Sequence, residues 1–184
     1  MMKTIDIAHA ATIDEAYHVW PIGRVHSPLQ KPSLKGARQG ISRQGAHVGQ
    51  VLRENDVDSQ IVIDPRYLPL LEGLEQFSHL VVIYWPHLLP EEGRQAQKVH
   101  PAGFEELPLT GVFATCSPAR PNPLLVTVAR LLAVDGNVLT IHGLEAVDGT
   151  PVLDIKPYNT HYLAREDVRA PQWMDELNRL YDGM

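Results

Sequence analysis

Cysteine is almost absent from this chain, with Cys116 alone among 184 residues. One cysteine cannot form an internal disulfide, and it cannot supply the several thiolates of a structural zinc site. Apolar runs are short, and none approaches the roughly 18 residues that a membrane helix needs. The first residues include Asp6, Asp14 and Glu15, where a signal peptide would be apolar without interruption. We therefore expect a cytoplasmic protein with no membrane partner.

The common motifs of phosphate, dinucleotide and zinc chemistry are also missing. No GxxxxGK[ST], GxGxxG or HExxH is present, and the nine histidines include no pair at helical i, i+4 spacing. The sequence therefore predicts no metal site. Positive charge is scarce: the chain has 16 Lys and Arg residues and 22 Asp and Glu residues, which gives a net charge of −6. Any nucleic-acid binding would need a local basic patch.

The overall composition is that of a folded globular chain, with 44% hydrophobic and 21% charged residues. The length fits one domain. The clear patterns begin near Trp20, which predicts three parts: an N-terminal lead-in over 1–19, a main domain over 20–160 and a C-terminal helical segment over 161–184.

Short apolar runs rich in β-branched residues predict a series of strands. They cover 20–27, 51–52, 60–63, 80–85, 112–115, 124–134, 138–141 and 152–155. The run 80–85 is apolar on both faces, so it predicts a buried central strand. Between the strands, 31–50 and 87–110 predict long polar loops, with Glu91, Glu92, Arg94, Lys98 and His100 exposed. Apolar residues at helical spacing occur over 67–77, and again after Pro171, where Trp173, Leu177 and Leu180 form one stripe.

Two tight-turn signals join the last strands of the main domain. Asp135-Gly136-Asn137 and Asp148-Gly149 leave no room for helical crossovers, so they predict an antiparallel meander. The fold class predicted is mainly β: a single small antiparallel β-barrel with long polar loops and a short C-terminal helix.

A proline-rich loop and a strand end are the candidate functional elements. Three prolines in 116–123 hold Ser117, Arg120 and Asn122 extended, which suits either a rigid ligand loop or a plain surface turn. His87 follows a buried strand at the mouth of a long loop, where side chains often meet ligands. Alternation along the last strand places Asp154 and Lys156 on one face, as a functional pair or a surface ion pair. No base is placed beside Cys116, so a small structural residue is its simpler interpretation.

Four segments together resemble a known family. GARQG (36–40), LEQFSHL (74–80), TCSPARPNP (115–123) and DGTPVLDIKPY (148–158) are similar to motifs of the TsaA-like, or TrmO, family of β-barrel S-adenosylmethionine-dependent methyltransferases. The resemblance covers about residues 20–160, with the motifs in the family's order. This chain differs at Cys116, where the family usually has arginine, and at Leu124-Leu125, where it usually has Ile-Gly.

The resemblance implies a homodimer that uses S-adenosyl-L-methionine to methylate N6 of threonylcarbamoyladenosine beside the tRNA anticodon. A methyltransferase acting on a small molecule and a non-catalytic cofactor-binding module are the alternatives. Carried over residue by residue, the cofactor positions that the resemblance implies are Arg38, Gln39, Gly40, His87, Leu88, Val126, His142, Gly143, Leu144 and Glu145.

Methyl transfer from a sulfonium requires alignment of the acceptor and the methyl group, together with a general base if the acceptor nitrogen is weakly nucleophilic. Asp154 or Tyr158 is the candidate base. Lys156 or Arg120 would orient the substrate, and Arg120 and Asn122 are the expected substrate-binding residues.

Overall fold

The computed structural model describes residues 18–43, 57–162 and 166–182. Ten strands and one α-helix are described, the helix α1 being Trp173–Asp182. The strands are β1 Gly23–His26, β2 Leu34–Ala37, β3 Gly40–Arg43, β4 Asp58–Ile63, β5 His79–Tyr84, β6 Lys98–Val99, β7 Thr110–Gly111, β8 Leu125–Asp135, β9 Val138–His142 and β10 Pro151–Pro157. Most of the predicted lead-in and the predicted strand at 51–52 lie outside the described residues.

Six strands close into a barrel in the order β1-β10-β5-β8-β9-β4, and every neighbouring pair is antiparallel. This confirms the predicted fold class. Gly136 at the β8–β9 turn has a φ of 57°, which glycine adopts without strain, so the first Asp-Gly signal makes the expected hairpin. We call the end of the barrel where β1, β5 and β9 finish the upper end.

The prediction of a simple meander is wrong at the second Asp-Gly turn. β10 does not pair with β9, but lies between β1 and β5. The turn instead pairs with the chain that leaves β1, through Asp148 N to Leu29 O at 2.7 Å and Gly149 N to Val25 O at 2.9 Å. In these hydrogen bonds the backbone N–H groups of the turn have partners in the segment after β1, so they are not available for a β9–β10 hairpin.

The barrel core consists of the inward-facing residues of the strands. The fully buried members include Val25, Ile61, Leu80, Val82, Leu139, Ile141 and Val152. Burial alternates along β5, where Leu80, Val82 and Tyr84 face inward and Val81 and Ile83 are half-buried on the outside. The strand is therefore central, as predicted, but only one of its faces lies in the core.

Both predicted polar loops contain packed structure. Within 31–50, β2 and β3 form a hairpin whose two-residue turn is Arg38-Gln39. Within 87–110, β6 pairs with β7, and Ala96 and Val99 form a second small core with Ala119 and Ile41. Glu91, Glu92 and Lys98 are exposed as expected, whereas Arg94 and His100 are half-buried. The apolar residues here follow no regular period, which is why the sequence pattern does not reveal them.

Two other segments differ from their predicted form. Val112–Ala114 is a 3-10 turn and not a strand. The segment with helical spacing forms two 3-10 helices, Pro65–Leu71 and Leu74–Gln76, with none of their residues buried. Pro69 and the left-handed Gly73 (φ 85°) interrupt the segment, so no single amphipathic helix can run through it. Across the described ranges, no helix has the length and apolar character that crossing a membrane requires.

Candidate functional site

A cavity of about 780 Å³ opens at the upper end of the barrel. This volume lies in the range of small-ligand pockets. Its walls come from five parts of the chain: the segment after β1 with the β2–β3 hairpin, the end of β5 and its following loop, the proline loop with the start of β8, the connection from β9 to β10, and α1. Its lining includes Leu29, Leu34, Tyr84, His87, Leu88, Phe113, Cys116, Arg120, Val126, Thr127, Glu145, Thr150, Trp173, Met174, Leu177 and Tyr181.

The floor of the cavity is formed by Tyr84 of β5 and Thr127 of β8. Tyr84 is 5% exposed, and its hydroxyl lies 3.0 Å from Thr127 Oγ1. The same hydroxyl donates to the backbone carbonyl of Glu145 at 3.3 Å. Burial raises the pKa of Tyr84, so the hydroxyl is neutral and able to donate throughout the neutral pH range.

Glu145 supplies a carboxylate to this largely apolar cavity. The residue is exposed to the cavity, yet protein atoms surround it, and the resulting loss of hydration raises the pKa of its carboxyl group. A wide concave pocket produces this combination, because the side chain borders open space on one side and packed protein on the others. A carboxylate placed in this way gains much from a ligand that carries positive charge or hydroxyl groups.

His87 stands at the rim beside the buried Thr150. The His87 Nδ1 and Thr150 Oγ1 atoms are 3.4 Å apart. The pKa of His87 is lowered, first by partial burial and then by the positive charge of Arg24. The imidazole is therefore neutral at pH 7, which suits a hydrogen-bonding role better than an ionic one.

The proline loop is held in shape by Arg120. Its guanidinium donates to the carbonyl of Ser117 at 2.7 Å, to that of Val112 at 3.2 Å and to that of Thr115. Ser117 adds a hydrogen bond from Ala119 N to its Oγ at 3.1 Å. Arg120 thus lines the cavity, but its guanidinium N–H groups donate to backbone carbonyls of its own loop and the turn before it. Cys116 is exposed and lines the same cavity.

The cavity therefore brings together Arg120 and four of the predicted cofactor residues, namely His87, Leu88, Val126 and Glu145. The other predicted cofactor residues lie elsewhere in this chain. Arg38 and Gln39 line a separate groove of about 500 Å³ with Lys98 and Leu109. Gly40 is buried against β6, His142 pairs with Asp58 at 3.0 Å, and Leu144 is 3% exposed in the barrel core beside Gly143. The predicted substrate residue Asn122 is exposed on the proline loop outside the cavity lining.

The three predicted catalytic residues lie along β10 and just after it. Asp154 and Lys156 share the outer face, as alternation predicts, and form an ion pair of 2.6 Å. Tyr158 follows at the lower end, where its ring meets His79 edge-on with centroids 6.2 Å apart. None of the three lines the cavity of the described chain.

Several cavity residues escape prediction from the sequence. Tyr84 lies near the end of a strand that the sequence predicts to be buried, and Thr127 lies inside a long β-branched run. Neither residue is therefore surrounded by a polar motif. Both residues carry an inward-facing hydroxyl near the upper end of β5 and β8. Their proximity can be predicted only when the register between these two strands is known. Within the ranges that the structure describes, no group of three or more His, Cys, Asp or Glu is placed to hold a metal ion.

Comparison with known proteins shows which family the chain resembles in sequence. Residues 25–163 match the sequence profile of the tRNA-methyltransferase O N-terminal domain. The chain is 35% identical over 156 residues to a probable S-adenosyl-L-methionine-binding protein of Pyrococcus abyssi, covering 85% of this chain and 75% of that protein. It is 42% identical over 101 residues to the human tRNA (adenine(37)-N6)-methyltransferase, covering 55% of this chain and 22% of that protein.

A solved structure gives the same result at the level of the fold. TrmO from Pseudomonas aeruginosa superposes with a TM-score of 0.59 and 29% identity, covering 84% of this chain and 62% of that chain. The fold, the family profile and these relatives define a β-barrel of the S-adenosylmethionine-dependent methyltransferase type. This chain belongs to the tRNA-methyltransferase O N-terminal domain family, which confirms the assignment made from the four motifs.

Proposed function

We propose that this chain is an S-adenosylmethionine-dependent methyltransferase that binds its cofactor in the cavity at the upper end of the barrel. The main support for the proposal is that Glu145, His87 and Val126 line one cavity, and that most of this lining is apolar. These residues come from three separate segments of the chain, and the chain's relatives include proteins named for S-adenosyl-L-methionine binding. We also retain the cytoplasmic location predicted from the sequence.

The residues of the cavity fit this cofactor. Bound S-adenosylmethionine would supply a methyl group on a positively charged sulfonium. Glu145 would accept hydrogen bonds from a ribose diol or from the ammonium group, since its carboxylate is otherwise poorly hydrated. Neutral His87 would offer a polar contact at the rim, and Leu88 and Val126 would cover apolar surface. The floor pair Tyr84–Thr127 would hold the Glu145 segment in place through the Glu145 carbonyl.

We propose in addition that two copies of the chain pair through the outer face of β8, β5 and β10. Val126 and Val128 on β8 are 62% and 47% exposed. Register places them beside Ile83 and Val81 of β5, and these in turn beside Asp154 and Lys156 of β10. An apolar patch of this kind on a sheet face is typical of an association surface. A partner on this face would place its own Asp154 and Lys156 near the edge of the cavity at Val126, which reconciles their predicted catalytic role with their distance from the cavity.

The acceptor that we propose is adenine N6 in tRNA. From residue 16 to residue 53 the sequence has no Asp or Glu, although the net charge of the chain is −6. The basic residues of this stretch are Arg24, Lys31, Lys35, Arg38, Arg43 and Arg53. Lys35 and Arg38 are exposed on the β2–β3 hairpin, and Lys98 joins Arg38 in the neighbouring groove. The local basic patch that a phosphate backbone requires therefore lies beside the cavity.

Methyl transfer from labelled S-adenosylmethionine tests both parts of the proposal. The purified protein is incubated with labelled cofactor and either bulk tRNA or a small-molecule extract, and cofactor binding is measured separately by calorimetry. We expect label in tRNA, and none when the tRNA lacks threonylcarbamoyladenosine. Label in the small-molecule fraction alone would refute the tRNA acceptor. Absence of cofactor binding would refute the methyltransferase, and binding without transfer to either fraction would leave a cofactor-binding module as the better description.

A charge-neutralising pair of variants tests the surface. Lys35→Gln removes one charge from the hairpin, whereas Arg66→Gln removes one from the lower end of the barrel. The hairpin variant should weaken tRNA binding and reduce the slope of log K against log salt by about 1. The control variant should leave that slope unchanged, and equal slopes in all three proteins would rule out the hairpin as a phosphate contact.

A further inference from the structure

The C-terminal helix α1 forms one wall of the cavity. Trp173, Met174, Leu177 and Tyr181 all line it, and their i, i+1, i+4, i+8 spacing places them on one side of the helix. The opposite side carries Asp175, Glu176, Asn178 and Arg179, all of which are exposed. The apolar side of the helix is therefore directed at the space that the ligand would fill. This stretch lies beyond residues 25–163, which match the family profile.

A specific set of contacts fixes the end of the helix. The Tyr181 ring meets Phe104 edge-on, with centroids 5.8 Å apart and an interplanar angle of 70°. The Arg43 guanidinium lies 4.0 Å from the centroid of the same Phe104 ring. Phe104 is 5% exposed, so Tyr181 rests on a well-packed residue. Burial, followed by the charge of Glu145, raises the pKa of Tyr181, so its hydroxyl is neutral and able to donate a hydrogen bond in the neutral pH range.

The chemistry of this wall differs from that of the barrel side. An indole, a phenol and a thioether line the same cavity as the carboxyl group of Glu145 and neutral His87. Aromatic faces stack on flat heteroaromatic rings and attract cations, and the indole is the strongest of them in both respects. A ligand that carries a purine ring and a positive charge satisfies both sides of the cavity.

We propose that α1 belongs to the cofactor site, and that Trp173 binds the adenosine part of S-adenosylmethionine by stacking, with Met174, Leu177 and Tyr181 closing that side of the cavity. This inference rests on the proposed function. It assigns a binding role to residues outside the stretch 25–163 that matches the family profile. The cofactor is favoured over a tRNA base as the occupant because Tyr181 and Glu145 line the same cavity, so a ligand that fills it meets both the aromatic wall and the carboxylate.

Calorimetry with S-adenosylhomocysteine tests the role of Trp173. Trp173→Ala should raise Kd roughly 5- to 30-fold, and Trp173→Phe should fall between it and the wild type. Glu176→Gln, on the exposed side of α1, is the matched control and should bind like the wild type. Thermal melts check that each variant is folded. A wild type that does not bind refutes the proposed function, whereas equal Kd values for wild type and Trp173→Ala refute only the role of α1, even if the KM for tRNA changes.

Fluorescence separates direct contact from an effect on helix packing. The chain has three tryptophans, Trp20, Trp85 and Trp173. In a Trp20→Phe, Trp85→Phe background, Trp173 is the sole indole reporter. Its emission should change on addition of S-adenosylhomocysteine and saturate at the calorimetric Kd. Binding that is visible by calorimetry but leaves this emission unchanged would overturn the proposal.

Discussion

The hydroxyl oxygens of Tyr84 and Thr127 lie 3.0 Å apart where β5 and β8 meet at the floor of the cavity. Since Tyr84 also donates to the Glu145 carbonyl at 3.3 Å, Thr127 is the natural donor to Tyr84. The chain of bonds joins the barrel interior to the segment that carries the candidate cofactor carboxylate.

Removing this hydroxyl should affect both stability and binding. Tyr84→Phe leaves the Glu145 carbonyl without its donor, so we expect a loss of about 1–3 kcal/mol in the free energy of unfolding, measured by urea denaturation. Cofactor affinity should fall as well, because the Glu145 segment loses an anchor. Thr127→Val should cost less alone, and the double variant should show coupling. Strict additivity of the two effects would contradict the linked arrangement.

Substitution of Arg120 should lower the stability of the fold more than it weakens substrate binding. Arg120→Lys keeps the charge but cannot reproduce donation to the Ser117, Val112 and Thr115 carbonyls, because an ammonium lacks the planar fork. We expect a loss of about 1–3 kcal/mol by chemical denaturation. A variant with wild-type stability and a raised KM would instead support the substrate-binding role expected from the sequence.

Cofactor binding should depend on pH through Glu145. The carboxylate form is the one that attracts the ligand, and the pKa of its carboxyl group lies above the ordinary value of 4.5. Affinity should therefore be constant well above that pKa and fall as the pH drops through it, earlier than an ordinary carboxyl group would require. Glu145→Gln should bind weakly at every pH, and calorimetry between about pH 5 and pH 8 compares the two profiles. A wild-type affinity that does not change with pH would exclude this carboxylate as a ligand contact.

The same group has the opposite effect on the unliganded fold. Because its folded-state pKa is raised, Glu145 binds a proton more tightly when folded, so the protein loses stability as the pH rises through that pKa. Glu145→Gln should then be the more stable protein at pH 8, with the difference disappearing below pH 4.5. This gain in stability accompanies the loss of affinity, which a merely unfolded variant could not show.

The proposed pairing of two copies predicts a dimer that a charge on β8 would break. Val128→Lys would bury an unpaired ammonium in the contact, so dimerisation should weaken roughly 100-fold or more, as read by analytical ultracentrifugation. Leu70→Lys places the same change on a residue that is 77% exposed at the lower end, and it should leave the dimer intact. A monomeric wild type at tens of micromolar would refute the pairing.

Close packing of β1 against β4 predicts a strong effect at Gly23. A Cβ atom there would lie 2.5 Å from the Val62 carbonyl oxygen and 3.0 Å from Ile63 Cα, both backbone atoms that cannot rotate away. Gly23→Ala should cost about 1–3 kcal/mol by thermal denaturation. Gly111→Ala meets nothing within 4 Å and serves as the control. Equal melting temperatures for the two variants would show that the strands separate more easily than their register suggests.

The sequence predicts the barrel well because the strand signals are local. β5, β8 and β9 are long β-branched runs, and Asp135-Gly136-Asn137 specifies its own turn. The β2–β3 hairpin is missed because Leu34 and Ile41 are too few to make a pattern among polar residues. The packing of Val99 and Phe104 is missed because these residues fill gaps beside the barrel without any repeat.

The site is less predictable than the fold, since it depends on distances between remote segments. Resemblance supplies His87 and Glu145, which the structure brings into one cavity. It also supplies Arg38 and His142, which the structure places outside the cavity of a single chain. Tyr84 and Trp173 carry no motif, and they reach the cavity only through strand register and the position of α1.

The Asp148-Gly149 turn has a consequence for how a ligand enters and leaves. Ser27 N donates to Asp148 Oδ1 at 3.1 Å and Asp148 N to Leu29 O at 2.7 Å, so the cavity wall at Leu29 and the segment after Glu145 are tied into one rigid unit. This unit cannot part without breaking backbone hydrogen bonds of the barrel. Exchange of ligand with solvent therefore does not occur by separation of Leu29 from the segment after Glu145, and this side of the cavity keeps its shape whether or not a ligand is bound.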